Sequence, residues 1–250
     1  MTLPPEILDK ILRNIPADSE EQPTLKACAL VATWWTGPSQ RRLFSSVSIR
    51  DDNYKRWMTG AVPSGSKTLP GCVRSLRHYR TPIGIAFKCY RMRDLAQDSG
   101  EYLSALHNLH TLKLVCIMAE EDQFSTCFSA FRETLTCLSL VSFVTSFGAF
   151  VRLVDYFPNI TTLYLNSPKL EPDERPVPSL SRPLRGKVHI YNVQASNQFF
   201  DQFSKLNLEY EELVIDSPTV LLETKFVETS LKISASTIER LRMGIELWCE

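Results

Sequence analysis

Two hydrophobic rhythms divide this chain. Near its start Ile7, Leu8, Ile11, Leu12 and Ile15 recur at helical spacing, with Asp9, Lys10, Arg13 and Asn14 on the opposite side. Pro4 and Pro5 suit a first turn whose N–H groups lack partners, and Glu6 sets negative charge at the positive end of the helix dipole. A two-faced helix of about three turns is predicted. Pro16 to Gln22 are polar and acidic and read as a loop. Thr24 suits the N-cap of a second helix carrying Leu25, Cys28, Val31, Ala32 and Trp35, which Gly37-Pro38 ends; a short third helix carries Leu43 and Phe44. Three short helices within about 45 residues bury little surface. Their apolar residues therefore need a partner, either the rest of the chain or another protein.

From Leu109 onward the rhythm is apolar-x-apolar, and it repeats. It occurs in LHTLKL (Leu109 to Leu114), LTCLSL (Leu135 to Leu140), ITTLYL (Ile160 to Leu165), GKVHIY (Gly186 to Tyr191), EELVID (Glu211 to Asp216) and ERLRMG (Glu239 to Gly244). The first central apolar residues are Leu112, Leu138, Leu163, Val188, Leu213 and Leu241, at steps of 26, 25, 25, 25 and 28. Such a step is the signature of leucine-rich repeats, one strand plus one helix per turn. Leu106-x-x-Leu109-x-x-Leu112-x-Leu114 and Leu135-x-x-Leu138-x-Leu140 follow that spacing, while the usual closing Asn is missing or displaced, as at Asn166. Between the strands, Phe124 to Phe131, Phe147 to Phe157 and Phe199 to Leu206 carry apolar residues at helical spacing. They are expected to pack on the strand layer, so that neighbouring repeats share one core.

The fold class expected is α/β: an N-terminal three-helix segment (1–50), a linker with irregular first repeats (51–105), and a degenerate leucine-rich-repeat solenoid (106–250), with parallel strands on the concave face and helices on the convex face. Thr59 to Pro70 and Pro168 to Pro183 are rich in turn formers and read as surface loops. Irregular strands are expected at Ser75-Leu76-Arg77 and Ile83 to Phe87. The repeat register before Leu112 is not fixed by the sequence. At the other end, Ile245, Leu247 and Trp248 are candidates for a minimal cap over the last repeat; the alternatives are a truncated sequence or an exposed end that binds something.

Strand side chains alternate, so the residue between two inward apolar positions points out. The outward row is Lys113, Ser139, Tyr164, His189, Val214 and Arg242, flanked by Thr111, Cys137, Thr162, Lys187, Glu212 and Arg240. Lys113, Ser139, Tyr164, His189 and Arg242 are the candidate substrate-binding residues; the alternative is a merely solvated sheet face.

Charge sums to zero, with 28 Lys plus Arg against 28 Asp plus Glu, which points to neither nucleic acid nor an anionic membrane as partner. It is uneven, however. Asn53 to Arg93 holds nine Lys or Arg and no Asp or Glu, whereas Asn207 to Glu250 has nine acidic against four basic residues. The basic stretch either attracts an acidic or phosphorylated segment or is a solvated face balanced by the acidic end. The seven cysteines include no C-x-x-C pair, which argues for reduced thiols rather than a disulfide framework or zinc site. His107-x-x-His110 lacks the H-E-x-x-H spacing of a metal motif. With no nucleophile elbow, phosphate loop or dinucleotide fingerprint, no catalytic residue, metal or cofactor is expected. No apolar stretch approaches the length of a membrane span, and no secretory leader is read at Met1 to Pro5. A cytoplasmic or nuclear protein is expected.

The first helices carry a specific resemblance. Leu3, Pro4 and Glu6 match the Leu-Pro-x-Glu opening of the F-box, Leu30, Val31 and Trp35 match its Leu-Val-x-x-x-Trp element, and Leu43-Phe44 match its closing pair. The layout is similar to F-box proteins with degenerate leucine-rich repeats found in mushroom-forming fungi, with Trp34 as an added aromatic. The resemblance implies docking on the Skp adaptor, and through it a cullin, by Leu3, Pro4, Ile7, Leu8, Ile11, Leu25, Cys28, Val31 and Trp35, some of them forming the box's own core. The repeats then hold an unknown protein substrate for a ubiquitin ligase by tethering, without chemistry of their own. The alternative is a non-catalytic scaffold whose box acts outside a ligase.

Overall fold

The computed structural model describes residues 4–14, 22–31, 33–49, 68–79, 90–119, 124–171, 178–192, 203, 206, 208–216 and 239–244. The helices are α1 (Pro5–Arg13), α2 (Gln22–Val31), α3 (Thr33–Leu43), α4 (Thr68–Cys72), α5 (Met92–Ser104), α6 (Phe124–Phe128) with a 3₁₀ turn at Ser129–Phe131, and α7 (Phe147–Tyr156). The strands are β1 (Ser46–Ile49), β2 (Ser75–Tyr79), β3 (Tyr90–Arg91), β4 (Thr111–Val115), β5 (Ile117–Met118), β6 (Cys137–Val141), β7 (Val144–Ser146), β8 (Thr162–Asn166), β9 (Lys169–Glu171), β10 (Leu184–Tyr191), β11 (Leu208–Asp216) and β12 (Arg240–Gly244).

The architecture is α/β. An eight-stranded sheet runs β1-β2-β4-β6-β8-β10-β11-β12, and a four-stranded one runs β3-β5-β7-β9; every pairing is parallel. Parallel neighbours need a crossover between them, and from β1 to β8 the helices α4, α5, α6 and α7 lie in it. Register follows the apolar pattern: Val47, Leu76, Leu112, Leu138, Leu163, Val188, Leu213 and Leu241 are successive partners across the large sheet. All but Leu241, which is exposed, lie in the core, and a one-residue slip would turn them out of it, which is why so regular a pattern fixes the register.

After β4, β6, β8 and β10 the backbone enters the left-handed region at Cys116 (φ 56°), Ser142 (φ 48°), Ser167 (φ 50°) and Asn192 (φ 49°). Each of these residues donates its N–H to the last residue of the next strand, at Val141, Asn166, Tyr191 and Asp216, over 2.8 to 2.9 Å. These corners turn β4, β6 and β8 into β5, β7 and β9 of the small sheet. The core lies between the sheets and the helices. Phe131 stacks on Phe157 at 6.2 Å between ring centroids, and Phe128 sits 5.5 Å from Phe131. At the start of α7 the Ser146 hydroxyl accepts the Ala149 N–H at 3.2 Å, a side-chain N-cap.

Several boundaries depart from expectation. Gly37-Pro38 does not end a helix: α2 stops at Val31, and Pro38 lies inside α3. Proline crowds the Cβ of the residue before it, and Gly37 has none, so the helix continues at the loss of one N–H donor. The sheet starts earlier than expected, because β1 falls within residues 1–50. The turn-rich stretches also contain α4 and β9. Helix α5 was not anticipated at all. Ile83 to Phe87, the C-terminal cap residues and most of Phe199 to Leu206 lie outside the described residues.

Candidate functional site

Two surfaces carry chemistry. The first is the amino-terminal helical cluster. Leu8 and Leu12, one turn apart on α1, are buried with Cys28, Trp35 and Leu43 packed against them, in a small core separate from the sheet core. One position earlier on the same turns, Ile7 and Ile11 remain 45% and 41% exposed, and Leu30 of α2 is 86% exposed. Spacing of four residues puts each pair on one stripe, so α1 presents two apolar stripes, one covered and one bare.

Among the residues assigned to adaptor docking, Pro4, Ile7 and Ile11 are therefore on the surface. Leu8 is 1% exposed and belongs to the cluster's own core, as some of these residues were expected to. Cys28 and Trp35 are half-buried against it. Leu3 and the side chains of Leu25 and Val31 lie outside the described residues. Leu30 was read only as part of the family motif, yet it is the most exposed large apolar side chain described. Trp34 is also at the surface, 5.5 Å from Trp35 between ring centroids.

The second surface is the open face of the large sheet. Its central row is Ser48, Arg77, Lys113, Ser139, Tyr164, His189, Val214 and Arg242, each in register with the next. All five candidate substrate residues fall on it. Ser48 and Arg77 were missed because the register before Leu112 was unread, and Val214, though in the row, is buried.

The face is chemically divided. At its centre Tyr164 and His189 approach to 4.6 Å between ring centroids, and His189 Nδ1 lies 3.2 Å from the Tyr191 hydroxyl. Burial holds the His189 imidazole below its ordinary pKa, Glu212 pulls it the other way, and Lys187 adds to the depression. Burial raises the Tyr164 phenol, as do Cys137, Tyr191 and Glu212. Towards β12, the Glu212 carboxylate lies 3.4 Å from Lys187 Nζ and 3.5 Å from Arg240. Partial burial pushes that carboxyl up, but the Lys187 hydrogen bond and the charges of Arg240, Lys187 and His189 outweigh it and hold its pKa low. Towards β1 the balance is reversed. Lys113 is depressed by burial and by the neighbouring Arg77, with no carboxylate against it among the described residues.

Among the described residues no three His, Cys, Asp or Glu side chains come together to hold a metal ion, and no helix is long and apolar enough to cross a membrane. His110, of the His107-x-x-His110 pair, meets the Thr134 carbonyl through Nδ1 at 3.0 Å. No protein-family model matches the chain, and no curated protein sequence matches it significantly.

Proposed function

We propose that this protein is the substrate-recognition subunit of a Skp-cullin-F-box ubiquitin ligase: the amino-terminal helices dock on the Skp adaptor, and a leucine-rich-repeat face holds a protein substrate. The observation that carries the reading is the split stripe of α1. A helix that buries Leu8 and Leu12 in a core of its own, yet leaves Ile7 and Ile11 in water beside an exposed Leu30, is built to be covered by something else. The F-box resemblance at Leu30, Val31, Trp35, Leu43 and Phe44 names what covers it. In support of the repeat reading, the parallel strands of the large sheet from β4 onward follow one another at steps of 25 to 28 residues, and β4, β6, β8 and β10 end in equivalent left-handed corners.

The reading assigns no chemistry to the sheet face. Burial raises the pKa of two of its side chains, the Tyr164 phenol and the Cys137 thiol, which favours their protonated forms. Tethering alone raises the substrate's effective concentration near a ubiquitin-charged enzyme. The test is co-purification of the full chain with the Skp adaptor. Capture by the native chain and loss in an Ile7→Asp, Ile11→Asp double variant that keeps its thermal midpoint is the expected result; equal capture by both overturns the docking surface. Adaptor capture without cullin favours a scaffold acting outside a ligase.

A further inference from the structure

Like charges placed opposite one another on neighbouring strands repel, and the rest of this sheet avoids the arrangement. Lys187 and Arg240 both face Glu212, and Arg185 meets Glu209 at 2.7 Å. Arg77 and Lys113 are the exception. They are direct register partners on β2 and β4, on the open face, with no ion pair to a carboxylate among the described residues. The stretch that carries Arg77, Asn53 to Arg93, itself contains no Asp or Glu. On their outer sides stand two hydroxyls, Ser48 in register with Arg77 and Ser139 with Lys113. An arginine fork, an ammonium and two flanking hydroxyls form a set of donors suited to an oxyanion. Burial, and after it the neighbouring Arg77, hold the Lys113 ammonium below its ordinary pKa.

Three strand intervals separate this pair from the Tyr164 and His189 rings. At about 4.8 Å per interval that is roughly 14 Å, the reach of about four residues of extended chain. We propose that the open sheet face binds an extended acidic polypeptide segment, its anionic side chain between Arg77 and Lys113 and a planar side chain about four residues away on Tyr164 and His189. This rests on the reading of the sheet face as the substrate-holding surface and gives that substrate a chemistry.

The test uses the full chain and three fluorescent dodecapeptide libraries, fixed at one position as phosphoserine, as Glu-Glu or as Ser-Ser and otherwise degenerate, read by anisotropy. The anionic libraries are expected to bind at least tenfold more tightly than Ser-Ser, with aromatic residues enriched about four positions from the anion; the two anionic arms distinguish phosphate from carboxylate. An Arg77→Gln, Lys113→Gln variant should lose that preference, whereas Arg93→Gln, on α5, should keep it. Equal binding of all three libraries, an unaffected double variant, or displacement by a poly-uridine oligonucleotide that itself binds with the same variant sensitivity each overturns the proposal. The Ile7→Asp, Ile11→Asp variant should bind the peptides normally, so loss of adaptor capture and loss of peptide binding report on separate claims.

Discussion

Ile7 and Leu8 are adjacent in α1 and lie on opposite sides of one boundary: Leu8 is sealed against Leu12, Cys28, Trp35 and Leu43, and Ile7 stands in water. Substitution at the two positions should therefore separate stability from binding. Leu8→Ala empties a site in a core that has two fully buried leucines among the described residues and should cost the helical cluster about 2–4 kcal/mol, seen as faster amide exchange in α1. Ile7→Asp with Ile11→Asp should change stability by no more than about 1 kcal/mol. It should weaken adaptor binding on the order of 100-fold if these side chains are anchors.

That contrast also marks what the sequence could say. Helical spacing identified Ile7, Leu8, Ile11 and Leu12 as one apolar group, but a stripe so wide does not reveal which edge its neighbours will cover; the choice depends on where α3 crosses. From Leu112 to Leu241 the partners in the central row were legible, because a period of two flanked by long, nearly equal steps has a single solution, while the register shift at Gly186 was not. Leu76 and Val47 belong to the same row but were hidden by the 36-residue step from Leu76 to Leu112. The small sheet was illegible: strands of two or three residues such as β5 and β9 carry no period, and their pairing depends on the corners before them. Pro38 misled for a related reason, since its effect on a helix depends on the glycine that precedes it.

Gly186 has a backbone demand no other residue meets. Its φ is 107°, and a Cβ there would stand 2.2 Å from the Thr161 carbonyl oxygen, which also accepts the Lys187 N–H at 2.8 Å. It marks the bulge where β10 and β11 shift register. Gly186→Ala should destabilise the chain by about 3 kcal/mol or more, combining a disallowed backbone angle with a clash against main chain that cannot swing away. Urea unfolding measures it directly.

Ser142 occupies the same left-handed corner as Cys116, Ser167 and Asn192, but without the glycine that such corners favour. Ser142→Gly trades relief of side-chain crowding against a more flexible unfolded chain, and the net change should stay within about 1 kcal/mol. Ser142→Val keeps a side chain and adds a branch at Cβ where φ is positive. It should cost about 1–3 kcal/mol. A ranking of Gly at or above Ser, and Ser above Val, in thermal unfolding is the expected order; Val equal to Ser would show that the corner relaxes freely.

Thr145 links β7 to the end of β5 through a buried hydroxyl that donates to the Ala119 carbonyl at 3.0 Å. Valine has nearly the same shape and cannot donate. Thr145→Val should cost about 1–2 kcal/mol, because the carbonyl loses its partner in a place water does not reach. Amide exchange at Ala119 and in β7 should quicken before the large sheet is affected.

His189 and Glu212 give the sheet face a pH dependence whose sign follows from their shifts. Both have folded-state pKa values below their ordinary ones: His189 chiefly through burial, and Glu212 because the upward push of its burial is outweighed by the Lys187 hydrogen bond and the charges of Arg240, Lys187 and His189 together. In each case the unfolded chain takes up the proton first, so acid favours unfolding. For His189 the stabilising contribution is complete above its ordinary value of about 6.5 and declines as pH falls below it towards the depressed folded value. For Glu212 the same decline sets in only below the ordinary carboxylate range. His189→Gln should therefore flatten the stability profile from pH 7 towards mild acid and leave the later loss in place, while Glu212→Gln should remove part of the later one. Tyr164 and Tyr191 flank the imidazole and Lys187 lies near it, so the ring titration followed by NMR should also move up when Lys187 is replaced by Met. An imidazole titrating at or above 6.5 in the native chain would mean that water reaches the ring, and the acid sensitivity assigned to it would then have another source.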